Sequence, residues 1–223
     1  MATFDLEEQE QIAGLKTWWK MYGNLITTVI VAAAVATVGW NGWNWWQRNQ
    51  AAKASMLFSG VQSGLAQQDV KRARELAGEL IDKYSGTAYA GLAALLSAKA
   101  QADGGDVKSA QAQLAWAADN AKDSGVRDLA RLRLATLLLD DNSYDEALQR
   151  LAAEPAAAFW PRFNELRGDV LVAQGKREEA RAAYQAALEK LKGLLVDGSV
   201  EARARAGYQE ILQAKLDVLG AGK

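Results

Sequence analysis

Two rhythms of apolar residues divide the chain. From Met21 to Gln47 the sequence "MYGNLITTVIVAAAVATVGWNGWNWWQ" carries no Asp, Glu, Lys or Arg. Within it Leu25, Ile26, Val29, Ile30, Val31, Val35 and Val38 are joined by alanines and a few threonines. A run of this length that is apolar on every side predicts a helix that crosses a bilayer. Beyond Arg48 the apolar residues fall three and four apart and are interrupted by Gly, Asn and Asp, which predicts short amphipathic helices joined by tight turns.

Tryptophans mark the ends of the first segment. Trp19 and Trp40 are 21 residues apart, or about 31 Å at helical rise, against a hydrocarbon layer roughly 30 Å thick. Trp18 and Trp19 therefore fall at one headgroup level and Trp40, Trp43, Trp45 and Trp46 at the other. Indole suits that level because an apolar ring carries an N–H donor. Sugar stacking by the same rings lacks an accompanying polar constellation. A cleaved leader ending at "AVA" (Ala34 to Ala36) would need a long n-region bearing Asp5, Glu7, Glu8 and Glu10, which is atypical. The expectation is an uncleaved signal anchor over 22–46, preceded by a short tail over 1–21 and followed by a folded domain over 47–223. Lys16 and Lys20 precede the span while Arg48 and Lys53 follow it, so basic residues leave its orientation open.

The second segment repeats itself. Ala98, Ala135 and Gly168 are small residues of three helices; Gly105, Asn142 and Gly175 follow seven positions later, and Ala110, Ala147 and Ala180 twelve positions later. Leu114, Leu151 and Tyr184 come four residues after those. The interval is 37 residues between Ala110 and Ala147 and 33 between Ala147 and Ala180. Small residues permit close approach of antiparallel helices, and the large one fills the space against the next pair. The pattern resembles the tetratricopeptide repeat, with a weaker fourth copy around Ala73 and Ala77. It departs from that repeat where Ala94, Arg131 and Asn164 stand at the Trp position and Lys192 at the late proline. "SYDE" (Ser143 to Glu146) has the form of a capping box, while "GGD" (Gly104 to Asp106) and "DGS" (Asp197 to Ser199) supply breaks before helices. The last helix is expected to cap the array, with Val200, Ala204, Tyr208, Ile211, Leu212 and Leu219 turned inward. The fold class is thus all-α: one N-terminal transmembrane helix followed by a tetratricopeptide-like α-solenoid of antiparallel helix pairs.

Composition narrows the chemistry. The chain has 223 residues with no Cys and no His, which removes disulfides, thiolate chemistry and the usual general base and metal ligand. A net charge of -1 gives no field toward nucleic acid, so none is expected as a partner. Neighbouring acids such as Asp140 with Asp141 and Glu178 with Glu179 diverge by about 100° on a helix and read as solvated charges. No enzyme, cofactor or metal is expected. Arg127, Arg131 and Arg133 read as a solvated helix face, with a groove for acidic partners as the sharper alternative. Solenoid geometry puts Leu92, Leu95, Lys99, Leu129, Leu132, Thr136, Arg162, Glu165 and Asp169 on the concave side. That is a candidate partner groove, apolar in two repeats and polar in the third, which the protein's own helices would also be able to fill.

The acidic tail, the anchor with its tryptophan-rich exit, and the motifs "IDKYSGTAYAGLAALLSAKA" (Ile81 to Ala100) and "ELRGDVLVAQGKREEARAAYQAAL" (Glu165 to Leu188) stand in an order that resembles the YfgM-like family, the ancillary subunit of the bacterial SecYEG translocon. The resemblance implies an inner-membrane protein with a cytoplasmic N-terminus and a periplasmic repeat domain. Its implied partners are the SecYEG translocon, a membrane-anchored prolyl-isomerase-type chaperone and the lipid bilayer. The implied role is an adaptor that helps pass exported proteins to periplasmic chaperones; the alternative is a repeat scaffold for another envelope assembly or stress-signalling complex.

Seven Leu, Ile and Val residues contribute only a few kcal/mol to insertion at about 0.3–0.6 kcal/mol each, while one central charge costs about 2.5–3.5 kcal/mol. Ala34→Arg is therefore expected to abolish anchoring. Carbonate extraction reads this directly: the variant moves to the supernatant, and full retention in the pellet contradicts the anchor.

Overall fold

A backbone angle that most residues avoid recurs four times in the second segment. In the computed structural model, Gln68, Gly105, Asn142 and Gly175 adopt φ of 60°, 87°, 60° and 79°. The structure describes the backbone of residues 4–193 and 200–220, and the side chains of 11–192 and 206–220. Helices run α1 Phe4–Ala66, α2 Val70–Tyr84, α3 Ala88–Asp103, α4 Val107–Asn120, α5 Ser124–Asp140, α6 Tyr144–Arg150, α7 Trp160–Ala173, α8 Arg177–Gly193 and α9 Val200–Gly220, with a 3-10 turn at Ala157–Phe159. No strand occurs among the described residues. The chain divides into two units, Met1–Gln50 and Ala51–Lys223.

In the second unit each left-handed residue ends one helix and starts its antiparallel partner. The N–H groups of Asp69, Asp106, Ser143 and Lys176 donate to the carbonyls of Gly64, Gln101, Leu138 and Leu171 at 2.8–2.9 Å. Those of Gln68, Gly105, Asn142 and Gly175 donate to Leu65, Ala102, Leu139 and Val172 at 2.9–3.1 Å. These are the paired hydrogen bonds of a Schellman stop, which satisfy carbonyls the helix leaves open. The next helix starts at once. Asp69 and Asp106 accept from the N–H groups of Arg72 and Ser109 at 3.0 and 3.2 Å. Ser143 occupies the same cap position, but its side chain makes no cap bond; its hydroxyl lies 3.5 Å from Asp141 Oδ2 instead. The capping box therefore locates the start of α6 without forming its side-chain bond. "DGS" at 197–199 lies outside the described residues.

The turns set four pairs: the end of α1 with α2, α3 with α4, α5 with α6, and α7 with α8. The fourth copy is the first in the chain, since Ala73 precedes Ala110 by 37 residues, the interval that also separates Ala110 from Ala147. Ala73, Ala110, Ala147 and Ala180 are wholly buried, as are Val61 and Ala135, with Ala98 nearly so. At Gly168 a Cβ would lie 2.3–2.9 Å from three carbons of the Tyr184 ring, a clash that only glycine avoids. One core joins Leu95, Leu114, Leu134, Leu138, Leu151 and Phe163 across α3 to α7. Another joins Ala54 and Val61 of α1 to Ala73, Ala77 and Leu80 of α2 and Ala90 and Ala93 of α3. The connection after α6 is held by Asp128, 3% exposed, which accepts from Ala156 N–H at 2.9 Å and from Arg131 at 3.1 Å.

The last helix differs in one respect from its expected face. Tyr208, Leu212, Lys215 and Leu219, spaced i, i+4, i+7 and i+11, turn toward α7 and α8. Ile211, expected inward, is 52% exposed because it sits about 70° around the helix from the middle of that face, while Lys215 lies within it and meets carboxylates of α7. Val200 and Ala204 lie outside the described side chains.

Gly168→Ala is expected to cost about 1–3 kcal/mol, as overpacking does, and Gly175→Ala about 1–2 kcal/mol from the left-handed backbone alone. Urea unfolding of the full-length protein in detergent, followed by far-UV circular dichroism, measures both. A neutral Gly168→Ala contradicts the close helix contact.

Candidate partner groove and membrane segment

The first unit presents its apolar side chains outward. Leu25, Val29, Ile30, Val31, Val35 and Val38 are all more than half exposed. Among the described residues α1 is the one helix long and apolar enough to cross a membrane. It continues unbroken through the expected boundaries at 21/22 and 46/47. Polar groups within it are mostly satisfied along the helix, as lipid demands. The hydroxyls of Thr17, Thr27, Thr28 and Thr37 donate to the carbonyls of Ala13, Gly23, Asn24 and Ala33 at 2.7–2.9 Å. Asn41 donates to Thr37 O at 3.0 Å. Trp18, Trp19, Trp40, Trp43, Trp45 and Trp46 are 45–70% exposed. Trp18 stacks obliquely with Tyr22 at 5.9 Å and Trp43 with Trp46 at 5.3 Å.

In the second unit the nine groove residues fall into three equivalent rows. Leu92, Leu129 and Arg162 share one register position; Leu95, Leu132 and Glu165 a second; Lys99, Thr136 and Asp169 a third. The aliphatic rows serve packing between neighbouring pairs. Leu95 is 4% exposed, Leu129 and Leu132 lie half-buried against the same core, and Leu92 remains 37% exposed. Lys99 and Thr136 stay at the surface and line an open cleft of about 270 Å³ between α3 and α5. Its walls add Asp103 and Arg133, and its floor is Ala98, Ala102, Leu114 and Leu137. Lys99 pairs with Asp103 at 2.6 Å, and Arg133 reaches Leu95 O at 3.4 Å. The cleft therefore offers an apolar floor between polar edges, with the Lys99 charge met by Asp103.

The three arginines of α5 do not form one solvated patch. Arg127 donates to Ala121 O and Lys122 O at 2.7 and 3.2 Å, Arg131 to Asp128, and Arg133 to Leu95 O. Arg127 and Arg133 hold neighbouring segments, while Arg131 pairs within α5 with Asp128, which in turn holds Ala156.

The third, polar set is occupied from within. Lys215 of α9 donates to Glu165 Oε1 at 2.9 Å and to Asp169 Oδ1 and Oδ2 at 2.6 and 2.8 Å. Tyr208 donates to Glu165 at 2.7 Å, Tyr184 to Asp169 at 2.7 Å, and Arg162 to Glu165 at 3.0 Å while lying 3.9 Å above the Tyr208 ring. Burial works against ionised Glu165, but the Lys215 and Tyr208 donors hold its carboxyl below the ordinary range. Burial likewise works against charged Lys215, and its bonds to Asp169 and Glu165 hold its ammonium above the ordinary value. Burial and the hydrogen bonds they donate push both tyrosines upward. Two acids converge here, yet the space between them is filled by an ammonium, which is the geometry of a structural joint. Lys215 was not among the residues expected to turn inward; only the contact of α9 with α7 across more than 40 residues brings the group together. Among the described residues no cluster of acids is placed to hold a metal ion.

Comparison with known proteins agrees with this architecture. The family described as a tetratricopeptide repeat-like domain matches residues 16–221. A Neisseria gonorrhoeae protein named "Ancillary SecYEG translocon subunit" is 31% identical over 218 residues, which covers 96% of this chain and 98% of the relative. A Haemophilus influenzae protein of the same name is 31% identical, covering 82% of this chain and 90% of the relative. An Escherichia coli protein of that name is 24% identical, covering 82% and 87%.

The sign of the pH dependence at the α9 joint follows from the two shifts. Glu165 is depressed below 4.5, so its stabilisation is present above that value and is lost as pH falls through the folded-state pKa. Lys215 is raised above 10.5, so its stabilisation is present below that value and is lost as pH rises through the folded-state pKa. Amide-exchange protection of α9 is expected to hold at neutral pH and to drop in acid below the carboxylate range. Lys215→Met is expected to remove it at neutral pH, at a cost of about 2 kcal/mol for a partly exposed pair. An α9 equally protected in the variant contradicts the joint.

Proposed function

The chain belongs to the YfgM-like family of ancillary SecYEG translocon subunits, built on a tetratricopeptide repeat-like domain, and on that premise we propose that it is a membrane-tethered periplasmic adaptor. In this reading the N-terminus is cytoplasmic, α1 anchors the chain in the inner membrane, and the repeat domain lies in the periplasm. There it binds the translocon and a membrane-anchored prolyl-isomerase-type chaperone and assists transfer of exported proteins. It does so by binding, not by catalysis.

The observation that carries this reading is one chain that combines a helix long and apolar enough to cross a membrane with four helix pairs whose α3–α5 face keeps an open cleft. Tethering confines that cleft to a thin layer beside the membrane, which raises its effective concentration toward a membrane complex without any added contact. An apolar floor suits an extended chain or an amphipathic segment. At the cleft's rim the Lys99 charge is met by Asp103, and Arg133 leaves a net positive edge that favours a segment carrying a carboxylate.

Purification of the full chain from membranes in mild detergent is expected to retain translocon subunits. Photoreactive residues placed at Lys99 and Thr136 are expected to capture the chaperone or an exported chain. Loss of translocon subunits under conditions that keep other weak partners overturns the adaptor reading in favour of a scaffold for a different envelope assembly.

A further inference from the structure

The membrane span has two unlike sides. Trp18, Tyr22, Ile26, Val29, Ala33 and Trp40 follow one another at intervals of three, four or seven residues and so share one side of α1. This stripe is aliphatic in the middle and aromatic at both ends, which is the profile of a lipid-facing surface. Lys20, Asn24, Thr28, Val31, Val35 and Gly42 repeat the same spacing two residues later, roughly 200° around the helix and so on the opposite side. Thr28 hides its hydroxyl on Asn24 O. Asn24 behaves differently: its side-chain amide is exposed and has no hydrogen-bond partner among the described residues, whereas Asn41 bonds Thr37 O. Asn24 stands five residues inside Trp19, about 7 Å below the headgroup level. An unpaired amide at that depth is unfavourable against lipid and is relieved by another helix. Gly42, with open space around its Cα, permits close approach along the same stripe.

Charge selects the kind of partner. Lys20 and Lys16 lie on the Asn24 stripe, one and two turns nearer the N-terminal end of the span. In a symmetric parallel pair of this chain they would face their own copies, so self-association is disfavoured. We propose that the Lys20–Asn24–Thr28 stripe is the transmembrane docking face. Its partner is a translocon helix that offers an amide or hydroxyl one turn inside the bilayer and a carboxylate at the adjoining headgroup level. This rests on the adaptor reading above.

The test uses the full chain in native membranes. Photoreactive residues at Val31 and Val35 are expected to crosslink a translocon subunit, and those at Val29 and Ala33 are not. Asn24→Leu is expected to lower co-purification of translocon subunits about three- to tenfold, the range for one interhelical amide bond, with Asn24→Gln restoring most of it. Equal crosslinking from both stripes overturns the docking face, as does adduct formation only with a second copy of the chain. Unchanged co-purification of Asn24→Leu overturns it too, while the adaptor reading stands because the wild-type chain still retains the translocon. If the wild-type chain itself retains none, both fall together.

Discussion

Everything in the repeat domain depends on how closely two antiparallel helices can approach. A helix of some fifteen residues is marginal alone, and these helices are rich in alanine, which offers little apolar surface per side chain. Such a helix becomes stable only where its neighbour comes near enough for backbone and Cβ atoms to pack densely. Ala73, Ala110, Ala147 and Ala180 on the second helices, against Val61, Ala98, Ala135 and Gly168 on the first, provide that approach. The left-handed stops at 68, 105, 142 and 175 follow from the same need. A pair in close contact leaves no room for a longer loop, so the reversal is made in one residue of positive φ. Gly supplies it at two positions and Asn142, a residue that tolerates the left-handed region, at a third, while Gln68 adopts it against its usual preference.

Those constraints explain what the sequence made legible. Small residues at fixed offsets and a Gly or Asn seven positions later are local signals, and they located three helix pairs correctly. The first pair was fainter because Val61 and Gln68 match neither the small-residue nor the glycine pattern, although the fold uses them in the same way. The candidate groove was legible in register but not in use. Whether Leu95 faces a partner or its own neighbour depends on how tightly successive pairs stack, and the stacked α5 covers it. Lys215 was hidden for a different reason. A lysine among apolar residues of an amphipathic helix reads as outward until Glu165 and Asp169, 50 and 46 residues away, are known to stand opposite.

The two units answer different solvents with the same backbone. In α1 the threonines return their hydroxyls to the helix and the aliphatic residues face outward, because lipid accepts methyl groups and rejects unpaired donors. In the repeat domain the apolar stripes turn inward, and side-chain donors bridge segments, as Arg127 and Arg133 do. A tryptophan collar is the natural boundary between the two regimes, since indole is at home with neither pure hydrocarbon nor bulk water.

The way the array ends bears on its specificity. Between internal pairs the register positions are aliphatic, Leu95 and Leu132, and any amphipathic helix of similar shape would satisfy them. At the C-terminal joint the same position is Glu165, with Asp169 one turn on, and an aliphatic helix docked there would leave two carboxylates without donors. Such a burial is strongly unfavourable. Lys215, Tyr208 and Tyr184 together supply those donors, so α9 fits where a copy of an internal helix would not. A polar joint adds little net stability over an apolar one. Its effect is to make α9, and not a copy of an internal helix, the favoured neighbour of α7 at that position.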